Sequence, residues 1–555
     1  MQNHLLSSPG QVLGDLWRNI PKTIKITFFS TFIFGVLVHG YMLANFIINY
    51  DGLSYFAYFS PEIPTNIPVT LTSGRWFQEI AILISGYIPM PWVTGLMSIL
   101  YLSVTAGIIV ACLEIKRSYC AVLIGLILVT FPAAGVVFAY IQVADSIFLS
   151  ILLACLSAYL SKKFRFGFLL GAVALALSLG IVQTYITFTA GLFLIMLILD
   201  TLKAQEHYKT ILLRGVKYFA CLALGLATYF VVLQYMLYTR DAVLTAYQNI
   251  DQMGQAPLAQ YPGLIRTAYR EFFQFFSRHA YWFLPSTFRR VSRIIFLLPL
   301  VLIPTMMLLI ASKNWKRAKE YHIPAGRKQW AKRFAPYALL LALFTLLFPL
   351  AVNAIYIMGA YFVYLMLLYA SVLVFVLLIS LLDRLDVSLQ EFTSSIKKHF
   401  GSFVCWVSLA LLVFTPYNYF VVLNGNYLQT DLVLRQAYHI SSTLAARIRA
   451  FPGYVDGMAV VFVGQQVASS DIVLHQLTQD NNMVGFPTTN TFINWHTYNQ
   501  FFHIFLGENI NVYPHLNQAL RDQHYEALSA LTTFPAEGSM LIIGDVLFIR
   551  MSGDF

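Results

Sequence analysis

The sequence predicts a polytopic α-helical membrane protein of about eleven transmembrane helices, with a small extracytoplasmic α/β domain at its C-terminal end. Three observations carry this expectation. Of the 555 residues, 58% are hydrophobic and only 11% are charged, and the mean hydropathy of +0.67 is far above that of a soluble domain. Apolar runs of roughly twenty residues recur between residues 26 and 422, each about what a helix rising 1.5 Å per residue needs to cross a 30 Å hydrocarbon core. The lysines, finally, fall only in alternate connections between those runs.

The spans are expected near residues 26–48, 93–113, 119–139, 146–160, 166–182, 184–202, 215–238, 294–312, 335–352, 361–382 and 401–422. The first follows a basic stretch (Arg18, Lys22, Lys25) but is too long for a signal-peptide core and lacks a small-residue cleavage site after it, so it reads as an uncleaved anchor. With residues 1–25 in the cytoplasm, the cytoplasmic connections collect Lys116 and Arg117; Lys162, Lys163 and Arg165; Lys203, Lys209, Arg214 and Lys217; the basic run 313–333; and Arg384, Lys397 and Lys398. Every lysine then lies inside, while the outward side carries arginines alone. That asymmetry orients the chain by the positive-inside rule, as for a multi-pass protein of the bacterial inner membrane with a periplasmic C-terminus.

An odd number of spans leaves residues 423–555 outside, enough for a small domain. There, 427–450 has helical periodicity, 458–463 is a β-rich apolar run, 491–506 looks helical, and 540–551 reads as two strands around Gly544-Asp545. Within the membrane portion 26–422, two outward loops are too long to be simple connectors. The loop 50–91 holds Pro61, Pro64 and Pro68 and then an aromatic amphipathic stretch; the loop 239–293 is rich in arginine and aromatics, an interfacial pattern.

The net charge of +11 is spread over short loops rather than gathered in one domain, which speaks against nucleic acid as a partner. The five cysteines all fall in or beside apolar runs, so neither a disulfide framework nor a metal site is expected. The polar residues at span ends share one side: Asp51 after the first span, Asp145 before the fourth, Gln183 before the sixth, Arg240 after the seventh, Arg289 and Arg290 before the eighth, and Asn353 after the ninth. Burying such groups at a membrane costs several kcal/mol unless they are paired or used. The midplane is free of charge and no paired interrupted helices appear, so a site at the outer surface is expected rather than a pathway across.

Outside the cytoplasm there are no nucleotide sugars, so group transfer there must draw on a lipid-linked donor. A polyprenyl-phosphate sugar suits the residues available. Arginines would hold the phosphate through their planar fork, apolar spans would hold the isoprenoid, and a carboxylate would deprotonate an acceptor hydroxyl. A monophosphate leaving group held by arginines demands neither a metal nor a cofactor.

Tyr50-Asp51-Gly52-Leu53-Ser54, Ser73-Gly74-Arg75-Trp76, Ala144-Asp145 and Gly180-Ile181-Val182-Gln183-Thr184-Tyr185-Ile186 together resemble the Gtr-type bacterial glucosyltransferases that modify O-antigen. The likeness runs over roughly the first 200 residues, and such proteins are similar to the wider GT-C class of polytopic glycosyltransferases. It implies a hexosyl transfer, of glucose, from a polyprenyl-phosphate donor to a lipid-linked surface glycan such as O-antigen of lipopolysaccharide. It also implies Asp51 as the base, Asp145 and Gln183 as sugar-site or structural partners, and Arg75 as a phosphate contact. The class commonly has an acidic pair after the first span. Here a single aspartate precedes glycine, so Glu62 or Asp145 is expected to share the work.

Each of these residues also has an ordinary structural role open to it. Asp-Gly is common turn chemistry; Asp145 could cap the fourth span; Gln183 could satisfy backbone groups at a tight turn. Arg75, Arg278, Arg289 and Arg290 could reach lipid headgroups. His39, inside the first span, reads as a packed residue. Two other activities compete. A lipid-sugar flippase or polysaccharide exporter should show polar groups at mid-depth and repeated halves. An O-antigen polymerase would centre on large arginine-rich loops and does not call for the aspartate in the first one.

Overall fold

A computed structural model of the chain describes residues 8–49, 51–53, 69–86, 90–246, 251, 254–277, 289–320, 327–358, 363–464, 485–486, 498–513 and 522–551. The amphipathic helix α1 (Pro9–Asn19), opened by a Ser8–Gln11 capping box, precedes the first apolar helix α2 (Lys22–Ala44). There follow α3 (Gln78–Leu83), α4 (Pro91–Leu113), α5 (Ser118–Thr130), α6 (Pro132–Ala139), α7 (Ala144–Lys163), α8 (Gly167–Leu179), α9 (Ile186–Lys203) and α10 (Tyr208–Thr239). The second half comprises α11 (Tyr261–Ser277), α12 (Arg289–Glu320), α13 (Arg327–Val352), α14 (Leu373–Ser388) and α15 (Ser395–Ala450).

Among the described residues, nine helices are long and apolar enough to cross a membrane, or ten if the bent pair α5–α6 is one span. The 44° bend of that pair falls at Pro132, whose ring removes an N–H from the ladder. The expected span at 166–182 is the shorter apolar helix α8, of 13 residues. Every other expected span coincides with one of these helices or with the pair.

Small residues set how closely the helices pack. A Cβ on Gly35 of α2 would lie 2.7 Å from Ile99 of α4, and one on Gly95 of α4 would lie 2.2 Å from Leu43 of α2, so the two run antiparallel with backbones in close approach. Buried Thr31, Ser98, Ser103 and Thr105 each return a hydroxyl hydrogen bond to a carbonyl of the preceding turn, which satisfies them without a partner helix. His39 hydrogen-bonds with the Tyr427 hydroxyl at 2.7 Å and the Val129 carbonyl at 2.9 Å and stacks on Phe138, so it is a packed residue of α2.

One end of the bundle is held by ion pairs between the lysine-bearing connections. Lys162 and Lys203 both reach Glu114, at 2.7 and 2.9 Å, and Arg214 pairs with Asp200 and Glu206. The Asp383 carboxylate accepts the backbone N–H groups of Lys116 and Arg117. Because the helices alternate in direction, Asp51, Asp145, Gln183, Arg240 and Asn353 lie at the opposite end.

The helix α15 differs from expectation in length. The helix over the apolar run 401–422 continues without a break through Asn424, Asn426 and Asp431 to Ala450, because polar side chains end an apolar stretch without ending a helix. At 56 residues it is about 84 Å long, far more than the roughly 30 Å of a bilayer core. Beyond it lies a four-stranded sheet of order β2-β1-β4-β3, formed by β1 (Ala459–Val463), β2 (Asn511–Val512), β3 (Met540–Ile543) and β4 (Val546–Arg550). β1 is parallel to β2 and β4, while β3 and β4 form the expected hairpin about Gly544-Asp545, with Gly544 at φ 59°. The expected helix at 491–506 is described from residue 498 and is helical there.

Candidate functional site

The segment carrying Asp51 begins where α2 stops. Phe46 takes a left-handed backbone, φ 48°, and Ile47 N–H returns to the Met42 carbonyl, a left-handed helix stop made here without glycine. The Phe46 ring stacks on Phe505, 5.9 Å between centroids and 6° between planes, so the C-terminal part packs on the turn that leads to Asp51. Asn49 then accepts the Gly52 N–H on Oδ1 at 2.8 Å, closing a tight turn about Asp51. Asp51 is half-buried, and burial raises its carboxyl above the ordinary carboxylate range.

This turn packs against the connection between α6 and α7. A Cβ on Gly52 would meet Ile48 at 2.4 Å and Gln142 Oε1 at 3.0 Å, so only glycine allows the approach. Asp145, three residues after Gln142, lies in the first turn of α7 and is 1% exposed. Its carboxylate faces the first amides of that helix, where the helix dipole favours a negative charge, and among the described residues neither oxygen makes a hydrogen bond of normal geometry. The Ser85 hydroxyl beside it donates instead to the Ile82 carbonyl at 3.1 Å.

A third junction joins two of the segments singled out in the sequence. Gln183 donates from Nε2 to the Ser73 carbonyl at 2.8 Å, Tyr229 donates to the Gly74 carbonyl at 3.0 Å, and Phe77 N–H donates to the Gly180 carbonyl at 2.7 Å. A Cβ on Gly74, at φ 76°, would collide with Gln183 and Tyr229, and one on Gly180 would collide with Trp76. The Ser73–Trp76 turn is therefore clamped on the Gly180–Gln183 turn, and the Arg75 guanidinium is close enough to the phenols of Tyr185 and Tyr229 to act on both electrostatically.

The two long loops meet at the same end. Thr245 N–H donates to the Thr72 carbonyl at 2.9 Å, Thr70 donates to Glu79 at 2.5 Å, and Arg240 lies 3.9 Å from the same carboxylate. Asn353 donates to the Ala268 carbonyl at 3.2 Å, tying the end of α13 to α11. Glu79 and Tyr229 were not singled out in the sequence. Glu79 follows Arg75 by four residues, a sequence spacing that could have pointed to it, whereas Tyr229 sits in an apolar helix with no local signal. Glu62 and Arg278 fall outside the described residues, and Arg289 and Arg290 are described only as backbone opening α12.

A carboxylate pushed upward by burial, a second carboxylate buried at the start of α7 and an arginine near the phenols of two tyrosines thus stand at one end of the bundle. The family model for glucosyl transferase GtrII matches residues 40–377, more than half of the chain. The chain belongs to the GtrII glucosyltransferase family. The matched region takes in Asp51, Arg75, Asp145 and Gln183 and ends within α14, so the C-terminal sheet lies beyond it. No curated protein and no solved structure matches the chain. Family and helices together make it a glucosyltransferase of the membrane type, acting with a sugar donor and an acceptor.

Proposed function

We propose that the chain moves a glucosyl group from a polyprenyl phosphate to a lipid-linked surface glycan, such as O-antigen, on the outer face of the bacterial inner membrane. The observation that carries the reading is the match to the GtrII family across the segments that bear Asp51, Asp145 and Arg75. The lysine-free end on which these residues stand supports it, since that end is the outward one by the positive-inside rule. On that side a donor must be lipid-linked, and apolar helices with most of their surface unburied, such as α10 and α13, suit an isoprenoid tail.

In the reaction, the acceptor hydroxyl oxygen attacks the anomeric carbon as the bond from that carbon to the phosphate oxygen breaks. Asp51 takes the hydroxyl proton, and the electron pair leaves with the polyprenyl phosphate, whose charge Arg75 meets with a guanidinium fork. A single displacement of this kind inverts the anomeric centre, from a β-linked lipid phosphate to an α-glycoside. Burial of Asp51 suits the role, because a base with a raised pKa is the stronger proton acceptor near neutral pH. Comparing the surface glycan of a deletion strain with that of its parent tests the reading. Loss of one hexose per repeat is expected on deletion, and an unchanged glycan contradicts it.

A further inference from the structure

Asn49 and Gln142 hold polar atoms that no other described residue takes up. Both residues are almost fully buried, at 3% and 2% exposure, and they flank the same glycine. Asn49 grips the Gly52 N–H through Oδ1, and Gln142 Oε1 lies 3.0 Å from where a Cβ on Gly52 would stand. The other Asn49 atom, the donor Nδ2, has no hydrogen-bond partner among the described residues, and neither has the acceptor Gln142 Oε1. The Asp145 carboxylate, three residues beyond Gln142, is buried as well and has only the Ser85 hydroxyl and the first amides of α7 beside it. Buried polar atoms are paired in the great majority of native structures, and an unpaired one carries the full cost of its desolvation. Among the described residues, one donor and one acceptor are thus left over at Gly52, the residue that follows Asp51.

We infer that Asn49, Gln142 and Asp145 form the subsite that reads the hydroxyl groups of the transferred hexosyl unit. A sugar hydroxyl both donates and accepts. It can accept from Asn49 Nδ2 while donating to Gln142 Oε1, and neighbouring hydroxyls can donate to the Asp145 carboxylate. The pattern rejects an analogue that lacks the hydroxyl, because the buried amide atoms are then left unpaired. Gly52 is part of the device, since any side chain there would fill the space in front of Gln142. The inference rests on the glucosyl-transfer reading and adds to it which side chains recognise the sugar.

The test uses the purified full chain with polyprenyl-phosphate glucose, the 2-, 3-, 4- and 6-deoxy analogues of that donor, and acceptor glycan. Wild type is expected to lose roughly 10-fold or more in kcat/KM on the analogue lacking the bound hydroxyl. Gln142→Met, close in size but without the acceptor oxygen, is expected to lose a similar factor on glucose itself and nothing further on that one analogue. Gln142→Glu keeps an acceptor oxygen and should retain the discrimination, which guards against a fold lost in the methionine variant. A purely structural role, or a buried water satisfying the same atoms, leaves every analogue with the same penalty in Gln142→Met as in wild type, and that result overturns the inference. Wild-type protein that transfers no glucosyl group from any donor refutes instead the reading of function beneath it.

Discussion

Gln183 donates from Nε2 to the backbone carbonyl of Ser73 at 2.8 Å, across 110 residues of sequence. The bond fixes the turn that presents Arg75, with Tyr229 holding the next carbonyl. Gln183→Leu removes the donor and leaves a polar atom without its partner, a loss of about 1–2 kcal/mol. The expected outcome is a donor KM raised roughly 10-fold with acceptor KM unchanged. Equal effects on both substrates would detach this clamp from donor binding.

Arg75 is expected to matter for its shape as well as its charge. Arg75→Gln should weaken use of the lipid donor more than use of the acceptor, and Arg75→Lys should restore it only in part, since an ammonium lacks the bidentate fork. Full donor affinity in Arg75→Ala would move the phosphate contact to Arg278, Arg289 or Arg290 in the second loop.

For Asp51, burial raises the carboxyl, and the base must be ionised to act. Activity is therefore lost as pH falls through a value above the ordinary carboxylate pKa of about 4. The stability sign follows from the same shift. The folded chain holds this proton more tightly than the unfolded one, so the ionised carboxylate lowers stability above the raised pKa, and the penalty vanishes below the unfolded value. Asp51→Asn should accordingly melt higher than wild type near neutral pH and level with it in acid. A variant that melts lower at every pH would show that the carboxylate holds the turn together.

Asp145→Asn separates a sugar contact from a helix-end charge. If the residue only favours the start of α7, losing its charge costs about 1 kcal/mol of stability and leaves kcat/KM near normal. As part of the hydroxyl-reading subsite it should instead raise donor KM roughly 10-fold.

Much of the fold was legible because its signals are local. Runs of about twenty apolar residues gave the helices, alternation of lysines gave the two ends, and Gly544-Asp545 between two apolar runs gave the β3–β4 hairpin. Of the candidate site, the positions of Asp51, Asp145 and Gln183 at helix ends on one side were legible. What joins them was not, because the Gln183–Ser73 bond and the approach of Gln142 to Gly52 link residues about ninety or more positions apart, and such contacts leave no periodicity. The same holds for the parallel pairing of β1 with β4. The length of α15 escaped for another reason, since Asn424 and Asp431 mark where an apolar surface ends, not where a helix does.

Orientation is tested with reporters. One fused after Phe555 should be active only outside the cytoplasm, and one inserted in the basic connection 313–333 only inside. A cytoplasmic C-terminus would put the Asp51 end on the wrong side for a lipid-linked donor in the outer leaflet.

The most direct measurement of the central claim is turnover by purified protein given polyprenyl-phosphate glucose and acceptor glycan, followed by mass spectrometry of the glycan and compared with Asp51→Asn. The account predicts a gain of one hexose by the wild type, released polyprenyl phosphate in equal amount, and a turnover lower by about 100-fold or more in the variant while donor binding persists. No hexose gain by well-folded wild type, or near-normal turnover by Asp51→Asn, would contradict it.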